Sequence, residues 1–245
     1  MRVAAIRALI GADSRLLWRD PLLGWVLLMP FGLALLLRLL IPRIEEALFT
    51  ANGFELAPYH PLIMGGYLMT APAIVGMVIG FLLLDERDAR TLMALRVTPL
   101  SMRRYLAYRI ALPLTVGILT TIAGYPLVGI SPLPFASLVP IAIVAGLWAP
   151  LLALLLGTAA PNKVAGFAVM KVLNSLNLVP VAAFFLPLPI QFVAGVLPSY
   201  WPMRALWSAT AGADYAPQLA IGAVTGAVAI GVAAALFERR LLRRG

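Results

Sequence analysis

The chain has 245 residues, 62% of them hydrophobic and 12% charged, with a net charge of +9 and no cysteine. Soluble domains carry charge on about a quarter of their residues, so this balance excludes an ordinary soluble protein; the lack of cysteine excludes disulfides, thiolate metal sites and dithiol redox chemistry. Apolar runs of about 20 residues recur, enough to cross a hydrocarbon core of about 30 Å, and they are continuous rather than alternating, so they predict helices and not barrel strands. The expected fold is an all-α integral membrane protein, one domain over 1–245.

Residues 1–20 read as an amphipathic helix. Val3, Ile6, Ile10 and Leu17 recur at a helical period among Arg2, Arg7, Arg15 and Arg19, a pattern suited to the membrane surface. The alternative is a charged leader that orients the first span; the apolar run that follows lacks a small-residue cleavage site. The first span is Pro21 to Leu40, followed by a polar connection over 41–60 with Arg43, Glu45, Glu46 and Glu55. The second runs from Pro61 to Leu84 and contains Gly76-x-x-x-Gly80, a spacing that admits a second helix closely. His60, the single histidine, reads as a loop residue at the interface.

A charged stretch follows, from Leu84 to Arg109. Three of the ten acidic residues (Asp85, Glu86 and Asp88) and six of the nineteen basic ones fall in it. Flanked by apolar runs, it must face water. Asp85 to Asp88 suit the positive end of a helix dipole, Leu92 and Leu95 share one side, and Pro99 ends the helix. Arg103, Arg104 and Arg109 read as head-group anchors for the third span. A helix with apolar knobs and flanking charges suits a groove on a partner protein, and more than twenty residues exceed what a plain turn needs.

The third span covers Leu106 to Ile130, interrupted by Pro113 and Pro126. The fourth is Ser137 to Ala159, and Pro161-Asn162-Lys163 turns the chain into the fifth, Val164 to Leu186. Lys171, Asn174, Ser175 and Asn177 in that span fall broadly on one helix side; they line a substrate path or bond to a neighbouring helix. Residues 187–213 are rich in Pro and aromatics and read as an outer re-entrant or interfacial segment. Tyr200 and Trp201 in it are candidates for an outer gate. The sixth span, Tyr215 to Phe237, carries Gly222-x-x-x-Gly226.

Six spans put both termini on one side. Sixteen basic residues flank that side against Arg38, Arg43 and Arg204 on the other, so the positive-inside rule makes the termini and the charged stretch cytoplasmic, in a cell (inner) membrane. The basic residues border apolar runs, so they imply membrane lipids as partners and no nucleic acid.

Two catalytic readings fail. Gly157 to Val164 lacks the second Gly and the hydroxyl residue of a phosphate-binding loop, so any ATP must be bound by another chain. Asp85-x-x-Asp88 has the start of a lipid phosphotransferase motif, but the next acidic residue is Asp214, too far away to complete a two-metal site.

The run from Glu86 through Arg87, Asp88, Arg90, Thr91, Leu92, Leu95, Arg96, Thr98 and Pro99 to Ser101 resembles the loop between spans two and three of ABC-2-type transporter permeases. It departs from the family pattern at Arg90, where many members have Gly. The six-span layout, the N-terminal helix and the aromatic segment are also similar, most of all to the small permeases of drug-export systems, including fluoroquinolone export. The resemblance implies a coupling helix within 85–104 that docks on a separate ATP-binding subunit. Leu92 and Leu95 would pack, Glu86 and Asp88 with Arg87, Arg90 and Arg96 would fix register, and Asp85 and Thr91 would belong to the same coupling set. It implies a second permease copy or a related permease, no cofactor in this chain, and ATP with Mg²⁺ on the partner. The other readings are a membrane-embedded lipid phosphotransferase and an accessory subunit with no transport path.

Overall fold

Each apolar run becomes a helix in the computed structural model, which describes residues 11, 21–88 and 102–243. The N-terminal helix expected over 1–20 and the stretch 89–101, with Arg90, Thr91, Leu92, Leu95 and Arg96, lie outside the described residues (Gly11 apart). The helices in chain order are α1 (Pro21–Asn52), α2 (His60–Asp88), α3 (Met102–Val128), α4 (Phe135–Gly146), α5 (Trp148–Ala159), α6 (Lys163–Ser175), α7 (Leu178–Ala183), α8 (Leu188–Gln191), α9 (Tyr200–Thr210) and α10 (Ala216–Arg243). Among the described residues, six segments are long and apolar enough to span a membrane, α4–α5 and α6–α7 each forming one. The protein is a multipass membrane protein.

Helix α2 is the centre of the bundle. Of its most apolar stretch 83% is buried, and of α4–α5 72%, against 17% for α1 and for α6–α7. A helix that is apolar all round belongs inside. Its glycines set the closest approach: a Cβ on Gly76 would lie 2.5 Å from the Ala149 carbonyl oxygen, and one on Gly80 would lie 2.7 Å from Leu156. Gly222 and Gly226 serve α10 likewise, against Val144, Trp201 and Leu147. Both small-residue motifs are therefore used within the chain.

Several boundaries differ from expectation. Helix α1 runs on through the charged residues 43–46 to Asn52, because Ile44 to Phe49 are ordinary helix formers and polarity alone does not end a helix. Gly53 ends it, at φ +65° with its N–H bonded to the Phe49 carbonyl at 2.8 Å. His60 accordingly begins α2 and faces Glu45 on α1, 3.4 Å away. Helix α3 is continuous through Pro113 and Pro126, as membrane helices tolerate. Spans four and five are instead the interrupted ones, at Leu147 and at Leu176–Asn177.

The segment before α10 folds back into the bundle. Along α9, Tyr200 to Met203 and Ala205 to Ser208 are buried, and the Trp207 indole N–H donates to the Pro61 carbonyl at 3.1 Å. Tyr200 and Trp201 are packed edge to face, with centroids 5.2 Å apart, and the Trp201 N–H donates to the Gly195 carbonyl at 2.9 Å. The aromatic residues of this segment are thus packed against the other helices of the bundle.

Candidate functional site

Two places concentrate polar groups inside this apolar bundle. The first is the last turn of α2, where three consecutive residues reach three different helices. Asp85 pairs with Lys163 at the start of α6, 2.8 Å apart. Glu86 turns inward to Arg109 on α3: one carboxylate oxygen accepts from Arg109 Nη2 and the other from the Tyr105 hydroxyl at 2.5 Å. Arg109 is fully buried and stacks between the Tyr105 and Tyr108 rings, 5.4 and 5.3 Å from their centroids. A buried charge is tolerated only when it is paired and bonded in this way.

Arg87 caps the end of α5, donating to the carbonyls of Gly157 at 3.2 Å, Ala160 at 2.8 Å and Pro161 at 2.6 Å. A guanidinium there neutralises the negative end of the helix dipole and satisfies carbonyls with no helical partner. Arg240 on α10 donates to the Thr158 carbonyl of the same end. Asp85, Glu86 and Arg87, read from the sequence as part of the set that couples to a partner, hold the chain's own helices. Arg109 is no head-group anchor: it sits two turns inside α3, beside an acid that needs it.

The second place is a cleft of about 270 Å³ along α2. Gly66, Met69, Thr70, Ala73 and Ile74 form one wall, and Asn174, Asn177, Leu178 and Val181 form the other, with Met203 of α9 closing one end. The second wall is the break between α6 and α7, where the Asn177 N–H bonds back to the Asn174 carbonyl at 3.0 Å. Interrupted membrane helices with exposed polar backbone are a recurrent way to build a binding site at depth. The Asn177 Oδ1 is buried with no hydrogen-bond partner among the described residues, and Thr70 satisfies itself on the Gly66 carbonyl at 2.9 Å. The slot is mostly apolar, with two amides and the Thr70 hydroxyl as its polar side chains, the usual make-up of a small-molecule pocket.

Of the span-five candidates, Asn174 and Asn177 line this cleft, whereas Lys171 and Ser175 do not. Both of the latter are exposed, and the Ser175 hydroxyl bonds to the Val172 carbonyl at 2.8 Å. Tyr200 and Trp201 are buried behind Met203 rather than on the cleft surface. Among the described residues, no three His, Asp or Glu side chains converge.

A family model described as fluoroquinolones export permease protein Rv2686c-like matches residues 13–234. The chain belongs to this permease family. Two curated relatives, the fluoroquinolones export permease proteins Rv2686c and MT2760 of Mycobacterium tuberculosis strains H37Rv and CDC 1551 / Oshkosh, are each 36% identical over 223 residues, 90% of this chain and 88% of theirs. No solved structure matches the chain.

For this Rv2686c-like permease, the partners that sequence reasoning missed come from distant parts of the chain. Thr70 and Met203 complete the cleft from α2 and α9, and neither is unusual locally. Arg109 did carry a signal. A cation two turns into a span, four residues after Tyr105, needs an acid from a neighbouring helix, and Glu86 is the acid at the matching depth.

Proposed function

We propose that this permease is the membrane subunit of an ATP-driven exporter of amphiphilic, ring-bearing drugs, fluoroquinolones among them, of the ABC-2 type. The observation that carries the reading is the family match over 13–234 together with two relatives named for fluoroquinolone export. A separate subunit binds ATP and Mg²⁺ and docks on 85–104 through Leu92 and Leu95. A second copy or a related permease completes the pathway. Both termini are cytoplasmic, as the distribution of basic residues requires. The cleft between α2 and the α6–α7 break, with Asn174 and Asn177, is the drug path.

The test uses everted membrane vesicles of the native host, with and without an intact copy of this permease. Uptake of a fluorescent fluoroquinolone is expected to need ATP, to resist a protonophore and to vanish without the permease. Uptake driven by a proton gradient alone would overturn the reading. Replacing Leu92 and Leu95 by Asp is expected to leave membrane insertion intact and to abolish co-purification of the ATP-binding subunit; unchanged co-purification would remove the docking helix from the account.

The cleft has its own test. Asn177→Leu is expected to raise the drug KM about five- to tenfold with little change in maximal rate, as for the loss of one hydrogen bond of about 1 kcal/mol made to bound substrate. Because Asn177 Oδ1 has no hydrogen-bond partner among the described residues, the same change should leave the unfolding midpoint unchanged or raised. A fall in stability with an unaltered KM would make Asn177 a structural residue.

A further inference from the structure

The turn between α5 and α6, residues 157–163, is held from two sides. From α2, Arg87 takes the carbonyls of Gly157, Ala160 and Pro161, and Asp85 takes Lys163. From α10, Arg240 takes the carbonyl of Thr158. Asn162 adds a local lock, its side chain accepting from the Ala165 N–H at 2.9 Å to start α6. A connection of this length needs no such restraint to reverse the chain. The helix it starts, α6, leads without interruption from Lys163 to Asn174 on the cleft, about 16 Å at 1.5 Å per residue.

We propose that this gripped turn is the transmission element of the permease: displacement at the end of α2 is delivered through 157–163 to α6 and so changes the cleft, with Lys163 and Arg240 as positioning residues. This rests on the reading of 85–104 as the partner-docking segment, since that segment begins at the residues that hold the turn. A short helix carried on a fixed joint moves as a unit, whereas a free turn would absorb the displacement. Neither positioning residue touches the drug cleft, so loss of either grip acts on coupling and not on drug contacts.

The experiment uses the permease with its ATP-binding subunit in lipid vesicles and the double variant Lys163→Gln/Arg240→Gln. Subunit co-purification and basal ATP hydrolysis are expected to match the wild type, while drug moved per ATP falls about tenfold, within the usual range of coupling between sites. Drug moved per ATP equal to wild type overturns the proposal, and so does loss of co-purification, which would place these residues at the partner surface. Reversing the pair as Asp85→Lys/Lys163→Asp should restore transport relative to either single change; no recovery overturns the role of that pair.

A second measurement needs no partner and no transport. The chain has no cysteine, so spin labels at Val172→Cys and Val228→Cys, both outward on α6 and α10, report the distance between these helices. Binding of a fluoroquinolone should change that distance in the wild type and not in the Lys163→Gln/Arg240→Gln background. An identical change in both overturns the transmission role. A wild type that shifts on drug binding yet recruits no ATP-binding subunit overturns the proposed function instead, and leaves the turn's role decided by the label comparison.

Discussion

Glu86→Ala is expected to lower the stability of the folded permease by about 3–5 kcal/mol, the usual consequence of stranding one member of a buried ion pair. The partner left behind is Arg109, which has no exposed surface and is wedged between two tyrosine rings. Its charge loses the carboxylate that Glu86 supplies, and the Tyr105 hydroxyl loses that acceptor at the same time. The double change Glu86→Ala/Arg109→Leu should recover more than half of the loss, because it removes the buried charge along with its acid and leaves an apolar group in an apolar site. Unfolding in mixed micelles of rising denaturant content gives the comparison. Simple addition of the two single losses in the double variant would show that the pair is not coupled.

Gly76→Ala is the second large effect, expected to cost about 1–3 kcal/mol through overpacking. The new methyl would meet the Ala149 carbonyl oxygen at 2.5 Å, the Ala149 Cα at 3.1 Å and the Leu152 Cβ at 3.0 Å. Two of these three atoms are main chain, so no rotamer change relieves the contact; α2 and α5 have to separate. Gly32→Ala is the matched control. Its Cβ meets nothing within 4 Å, and an alanine in an open helical position should be neutral or stabilising by up to about 1 kcal/mol. Equal midpoints for the two variants would remove close α2–α5 packing as a source of stability.

The six spans are legible in the sequence because a continuous apolar run in lipid has one backbone solution. Their ends are less so. The polar residues from Arg43 onward do not mark the end of α1, and Gly53 stops it through its backbone conformation rather than its hydropathy. The break at Leu147 lies just after Gly146 and three residues before Pro150, whose missing N–H leaves the Gly146 carbonyl without its helical donor; a Cβ on Gly146 would meet Ile118 of α3 at 2.5 Å. The break at Leu176–Asn177 is announced by its polar residues, which is why Asn174 and Asn177 were identifiable and Thr70 was not. The pattern at 76 and 80 predicts that a helix comes close but not which one. In the charged stretch, the sign of each residue is plain, yet pairing depends on depth: Glu86 and Arg109 are twenty-three positions apart in sequence and meet only because α2 and α3 pack antiparallel.

The interruption of span five has a mechanical meaning. An unbroken helix is a rod, and everything along it shares one displacement. With a joint at Leu176–Asn177, Asn174 rides with α6 while Leu178 and Val181 ride with α7. Moving α6 alone would therefore shift one half of that cleft wall past the other half, re-aiming the two amides relative to each other without widening the bundle. A bound molecule gripped by both amides in one setting would be held by one in the other, so its release would depend on the hinge and not on a pore opening from end to end.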